Sequence, residues 1–281
     1  MPKSNKIKNF LEHIYHRYNS MLFLEQDPLF FAHQYQTRQD KEFVAWLSAC
    51  LAYGNVRAMM NTIQKILDRL GPSPTSTLRD TSEKKTQDLI SGLYYRFYTE
   101  SDIGNFLIAY QRTIKSYGSL EESFLCKINA RATHVEKLSR WRSYWIDQTT
   151  NPSRGYKFFF PDPAKGSAKR LHMFLRWMVR KDKIDLGLWS TIRSNVLIAP
   201  LDTHVFEWSK FFGWTKRSQP DRLAAMETTR HLHIYCPKDP LRYDFALCRT
   251  GVLREKAQLK KLFNSGHFDA PLQDTRIKVI L

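Results

Sequence analysis

The chain has 281 residues, 42% hydrophobic and 14% aromatic, which supports a sizeable core and excludes a disordered polymer. Lys and Arg total 44 against 27 acids, a net charge of +17, so the expected partner is a polyanion, nucleic acid first of all. No apolar run approaches the ~18 residues of a membrane span, and the basic start MPKSNKIKNF lacks an apolar signal core, so a cytoplasmic, nucleoid-associated protein is expected.

Apolar residues recur mostly at helical spacing. KEFVAWLSACLAY (41–53) places Phe43, Val44, Leu47 and Leu51 on one stripe. YGNVR (53–57) reads as a turn between helices, from which Asn55 and Arg57 could reach DNA. MMNTIQKILDRLG (59–71) continues the helical pattern and stops at Gly71. GPSPTSTLRDTSEKK (71–85) and DQTTNPSRG (147–155) read as linkers. DLISGLYYRF, IGNFLIAYQRTI and VEKLSRWRSYWIDQ again have helical spacing. RGYKFFFPDP (154–163) is the exception, an aromatic run read as a short strand or an extended connector. The expectation is an all-α, two-lobed helical bundle with a cleft between the lobes. Residues 1–281 form one unit, 1–150 its mainly N-terminal helical part and 156–256 the part that carries the site.

Cys50, Cys126, Cys236 and Cys248 show no C-x-x-C spacing, which argues against a zinc site or a cysteine-bound cluster. Free buried thiols are expected, and no metal or other cofactor.

A turn at Gly166 and Ser167 leads into a helix expected from about Ser167 to Arg180. Lys169 and Arg170 lie in its first turn, where the helix dipole disfavours cations. A phosphate held by the backbone N–H groups of Gly166 and Ser167 and by Arg170 would account for that placement; a solvated basic turn would too. Met173 and Trp177 follow on one stripe, as pocket or as plain core. In LIAPLDTHVFEWSKFFGW, Asp202 is an N-cap for the helix that follows, and Thr203 stands beside it. A carboxylate fixed at a helix N-terminus stays ionised and can stabilise a developing cation. In CPKDPLRYDFALCRTGV, Asp244, Leu247 and Cys248 share a helix face; a helix cap or an intramolecular salt bridge is the simpler account of Asp244.

PLDTHV, whose Asp202 lies 33 residues downstream of Lys169, resembles the Asp segment of the helix-hairpin-helix DNA glycosylases, most closely the archaeal 8-oxoguanine glycosylase subfamily. GSAKRLHMFLRWMVR, PLDTHV, DPLRYDFAL and LAYGN are also similar to an uncharacterised bacterial family related to that subfamily. The glycosylase likeness covers about residues 160–252. It implies a helix-hairpin-helix element, Lys169 as the nucleophile of a glycosylase with β-lyase activity, and Asp202 as the carboxylate that stabilises the developing cation and helps with proton transfer. Met173, Trp177, Asp244 and Cys248 would contact the base. Gly166, Ser167, Arg170, Thr203, Asn55 and Arg57 would contact the DNA. Burial and the neighbouring Arg170 would favour the free amine at Lys169, and Lys165 is a substitute nucleophile. The substrate would be double-stranded DNA with a damaged base, bound by a monomer. Three positions depart from the subfamily. Only Gly166 remains of the hairpin's glycines, Met173 stands for an aromatic, and Cys248 stands for a tryptophan. A non-catalytic nucleic-acid-binding protein of the same fold is the competing expectation.

Overall fold

A computed structural model describes residues 3–126, 132–266 and 268 of the chain, so the ends of the expected 1–281 unit lie outside the described residues. The described residues are all-helical. In order they form α1 (Lys3–Tyr18), α2 (Phe30–His33), α3 (Arg38–Leu51), α4 (Val56–Leu70) and α5 (Pro74–Asp80). Next come α6 (Glu83–Leu89), α7 (Glu100–Tyr117), α8 (Leu120–Cys126), α9 (His134–Ile146) and α10 (Arg154–Phe159). The C-terminal part adds α11 (Lys169–Val179), α12 (Thr203–Phe212), α13 (Arg222–Tyr235), α14 (Asp244–Val252) and α15 (Lys256–Ser265). No strand forms among the described residues; Tyr95–Tyr98 and Lys181–Leu186 are isolated bridges. No described helix is long and apolar enough to cross a membrane.

Local sequence explains most boundaries. The Thr37 side chain accepts the Asp40 N–H at the start of α3, and the expected stripe Phe43, Val44, Leu47 and Leu51 is fully buried. Asn55 caps α4, and Gly71 ends it with a positive φ of 76°. Thr99 and Asp102 form a reciprocal capping box at the start of α7.

Three expectations need correction. Residues 71–85 are not simply a linker: Pro74 starts α5, and Ser82 caps α6. DLISGLYYRF is helical only to Leu89 and then turns back on itself. RGYKFFFPDP is neither strand nor extended connector over its first half. Ser153 accepts the Tyr156 N–H, α10 runs to Phe159, and Tyr156, Phe159 and Phe160 are buried together at i, i+3 and i+4. Six consecutive residues with one buried face mimic a strand when the window is short.

Helix α3 packs on α5 and α11, α7 packs on α5 and α10, and α7, α9 and α11 each bring a ring to Trp46 of α3. The Trp46 ring lies 4.7 Å from Trp141, 5.2 Å from Trp145 and 4.8 Å from Phe174, centroid to centroid. At the other side of the chain, α1 returns to pack on α14 and α15, and α12 packs on α13 and α14. Phe10, Trp208 and Phe263 form the aromatic centre there, with Phe10 5.2 Å from Trp208 and 5.4 Å from Phe263. Arg176 of α11 reaches across to Asp244 of α14, so α11 ties the second set of helices to the first.

Candidate functional site

Three helices begin at one cavity. α11 brings Lys169, α12 brings Asp202 at its cap, and α14 brings Asp244 and Cys248. The cavity holds about 520 Å³, room for a nucleobase-sized ligand, and the α3–α4 turn closes one edge with Tyr53, Gly54 and Val56.

α11 presents Lys169, Met173 and Arg176 to the cavity, at i, i+4 and i+7. Lys169 is half-buried and makes no hydrogen bond or ion pair among the described residues. α11 starts at Lys169, two residues later than expected, because Ala168 is in the left-handed region with φ 42° and ψ 38°. No side chain caps this end.

Asp202 caps α12: one carboxylate oxygen accepts the Val205 N–H at 2.7 Å. Its other oxygen accepts the Cys248 thiol at 3.0 Å. Burial pushes the Asp202 carboxyl up, but the Lys169 ammonium, the thiol and the Val205 N–H outweigh burial and hold it below its ordinary value. Cys248 is pushed the opposite way, by burial first and by the Asp202 charge second, and stays a protonated donor.

Asp244 is buried and pairs with Arg176 at 2.5 Å. Arg176 also reaches Asp185 at 3.2 Å, and Arg180 binds Asp185, Asp182 and Asp239 behind it. Burial pushes the Asp244 carboxyl up to about 6; Arg176 opposes that and the Asp202 charge adds to it. The salt bridge expected as the simpler account of Asp244 is present, and Asp244 still lines the cavity.

Ser167 and Thr203 also line the cavity, whereas Gly166 sits outside its wall. Three expected residues are committed elsewhere. Arg170 is buried, donating to the Cys50 carbonyl at 2.6 Å, the Tyr98 hydroxyl at 2.7 Å and the Phe158 carbonyl. A guanidinium with that many internal partners is a structural brace, not a phosphate contact. Trp177 is fully buried and does not line the cavity, so it belongs to the core. Asn55 spends its side-chain oxygen on the Ala58 N–H at 3.1 Å. Arg57 and Lys165 are exposed, away from the cavity wall. Of the four free cysteines only Cys50 is buried; Cys126 is exposed and the other two are half-buried, which corrects the expectation of uniformly buried thiols.

Sequence reasoning passed over Arg176, His204 and the Asp27–Arg249 pair, all of which line the cavity. Arg176 was detectable as the third residue of the Lys169–Met173 stripe. His204 follows Asp202 by two residues, with its Nδ1 3.1 Å from the Lys256 ammonium and its ring against Gly251, where an added Cβ would come within 2.3 Å. Asp27 and Arg249 meet at 2.9 Å from segments 222 residues apart, and no local signal could pair them.

Fold and site define an all-helical protein whose cavity sets a lysine, with no hydrogen bond or ion pair among the described residues, near a helix-capping aspartate. Residues 27–253 match the family model described as "Protein of unknown function (DUF2400)", and the chain belongs to that family. No curated protein and no solved structure matches it.

Proposed function

We propose that the protein is a DNA base-excision glycosylase with β-lyase activity, with Lys169 as nucleophile and Asp202 as the charge that assists it. The observation that carries this reading is the meeting of Lys169 and the ionised Asp202 in one base-sized cavity. In this reading α1 with α12–α15 is one lobe, the remaining helices are the other, and the cavity is the cleft between them. The turn between α10 and α11 serves as the hairpin that meets the DNA backbone.

The target base leaves the helical stack and enters the cavity. Lys169, once its ammonium has lost a proton to solvent, attacks the sugar C1′, and the bond from C1′ to the base breaks with its electron pair going to the base as that carbon gains positive character. Asp202 stabilises the developing cation, and it does so without reorganising, because Val205 and Cys248 already fix both its oxygens. The amine now bonded to C1′ gives up a proton to the departing base, O4′ takes a proton as the C1′–O4′ bond breaks and the Schiff base forms, and loss of a C2′ proton expels the 3′ phosphate. The +17 charge supports binding of the phosphate backbone. Met173 and Cys248, in place of two rings, shape a cavity without the aromatic clamp of the 8-oxoguanine enzymes and favour a different damaged base.

Borohydride trapping tests the reading. Wild type and Lys169→Ala are incubated with duplexes carrying 8-oxoguanine, uracil or an abasic site. The expected result is a covalent adduct that needs Lys169, on the abasic duplex at least. No adduct with any duplex, beside normal DNA binding, sinks the lyase reading and leaves a non-catalytic binder or a monofunctional enzyme that uses Asp202 alone.

A further inference from the structure

Beside the cavity the chain spends apolar surface on solvent. Tyr94 is 79% exposed, Phe97 52%, Val56 42% and Tyr53 39%. Large aromatics in water are unusual when a helical core lies within reach, and two of these, Tyr53 and Phe97, meet each other, with Tyr94 on the same short segment as Phe97. Phe97 lies 5.9 Å from Tyr53 and 5.3 Å from Phe158, ring to ring. Arg96 is exposed and sits over both outer rings, 4.9 Å from Tyr53 and 5.4 Å from Phe97.

The tip is held in place from below. Tyr95 and Tyr98 exchange backbone hydrogen bonds of 2.9 Å across the turn, and Arg96 takes a left-handed φ of 55° to close it. The Tyr98 hydroxyl is fixed by Arg170, and the Tyr95 hydroxyl donates to the Tyr53 carbonyl. Gly155 lets α10 approach so closely that a Cβ there would meet the Phe97 carbonyl at 2.6 Å. Gly54 does the same on the other side, where a Cβ would come within 2.7 Å of the Arg96 guanidinium. A cation and the rings of Tyr53 and Phe97 are thus presented on a rigid mount, and Tyr53 and Val56 continue directly into the cavity wall.

We propose that this rim is a stacking surface for an unpaired nucleobase of single-stranded or bulged DNA next to the nucleotide in the cavity. Rings and a guanidinium stack on any base face, and the cation suits the phosphate that accompanies it. A paired duplex hides its base faces and gains only the charge contact. The inference rests on the nucleic-acid reading above and adds a preference to it: DNA with unpaired bases over fully paired duplex.

The full chain is titrated with three fluorescent oligonucleotides that carry 2-aminopurine: a single strand, a duplex with a bulge and a fully paired duplex. Anisotropy reads affinity, and 2-aminopurine emission reads stacking. The expected result is tighter binding of the first two, with quenching that persists as salt weakens the charge contacts. Tyr94→Ala and Phe97→Leu should each weaken binding to the unpaired probes about tenfold and remove quenching, while Phe97→Trp keeps both. Tyr94 is exposed enough that its removal leaves the fold alone. Equal binding of all three oligonucleotides without quenching overturns the stacking surface and leaves the cavity reading standing. No binding to any oligonucleotide overturns both.

Discussion

Two helix starts face the same cavity and are built in opposite ways. α12 begins as sequence rules prescribe: Asp202 in extended backbone, its side chain on the Val205 N–H, a negative charge at the positive end of the dipole. α11 begins against every one of those rules. Its first turn is Lys169-Arg170, no side chain caps it, and Ala168 before it holds a left-handed conformation that costs about 1 kcal/mol. α11 holds because Leu171, Phe174, Trp177 and Met178 are core and because Arg170 is pinned to α3, α10 and the 95–98 turn. Local rules are broken where a site needs a group the fold would not choose, and packing elsewhere offsets the cost.

Removing the Arg170 brace should damage the fold more than any other change at these helix starts. Arg170→Ala removes the guanidinium donor from the Cys50 and Phe158 carbonyls and from the Tyr98 hydroxyl, and denaturant titration should show a loss of about 3 kcal/mol or more. Arg170→Lys should recover little of it, since an ammonium cannot serve three partners as the planar fork does. An unchanged midpoint would mean that α11 is held by its apolar face alone.

A third start sharpens the contrast. Asp244 opens α14, where the dipole favours its charge, yet burial wins and raises it to about 6. Between its unfolded value near 4 and that value, the folded state holds the extra proton. This group's contribution to stability therefore falls as pH rises from about 4 to 6, by on the order of 2 kcal/mol. Stability against pH for wild type and Asp244→Asn should diverge in that window, and parallel curves would refute the assignment.

At α12 the cap and the charge can be separated. Asp202→Ala should cost about 1 kcal/mol, whereas Asn caps as well as Asp, so Asp202→Asn should melt near wild type. Both should lose most of the trapped adduct. A fully active Asp202→Asn would reduce Asp202 to a cap.

The smallest effect belongs to Ala168. Glycine adopts the left-handed conformation freely, so Ala168→Gly should stabilise the protein by about 0.5 kcal/mol to 1 kcal/mol. Thermal melting decides it; destabilisation would show that the Ala168 methyl, almost wholly buried, contributes more packing than strain.

Much of this was legible residue by residue. The buried stripe of α3, the Gly71 stop and the Asp202 cap follow from spacing and local hydrogen bonding, which act within a turn or two of the chain. Lys169, Met173, Asp202, Asp244 and Cys248 were singled out, and one cavity holds all five. Arg170 and Trp177 were misjudged because both lie on the same helix as Lys169, and sequence does not say which face meets solvent. Phe97 and Tyr94 were read as helix because Gly92, with its positive φ of 75°, can sit inside a helical pattern as easily as end one.

The sequence alone determined what depends on neighbours a few residues apart: helices, their caps, the basic charge and the acids at helix starts. The tertiary structure decided what depends on distant partners. It turned Arg170 inward to carbonyls on α3 and α10, joined Asp27 to Arg249, and fixed both oxygens of Asp202 between Val205 and Cys248. A side chain's role follows from what it touches, and periodicity specifies a face without naming what will cover it.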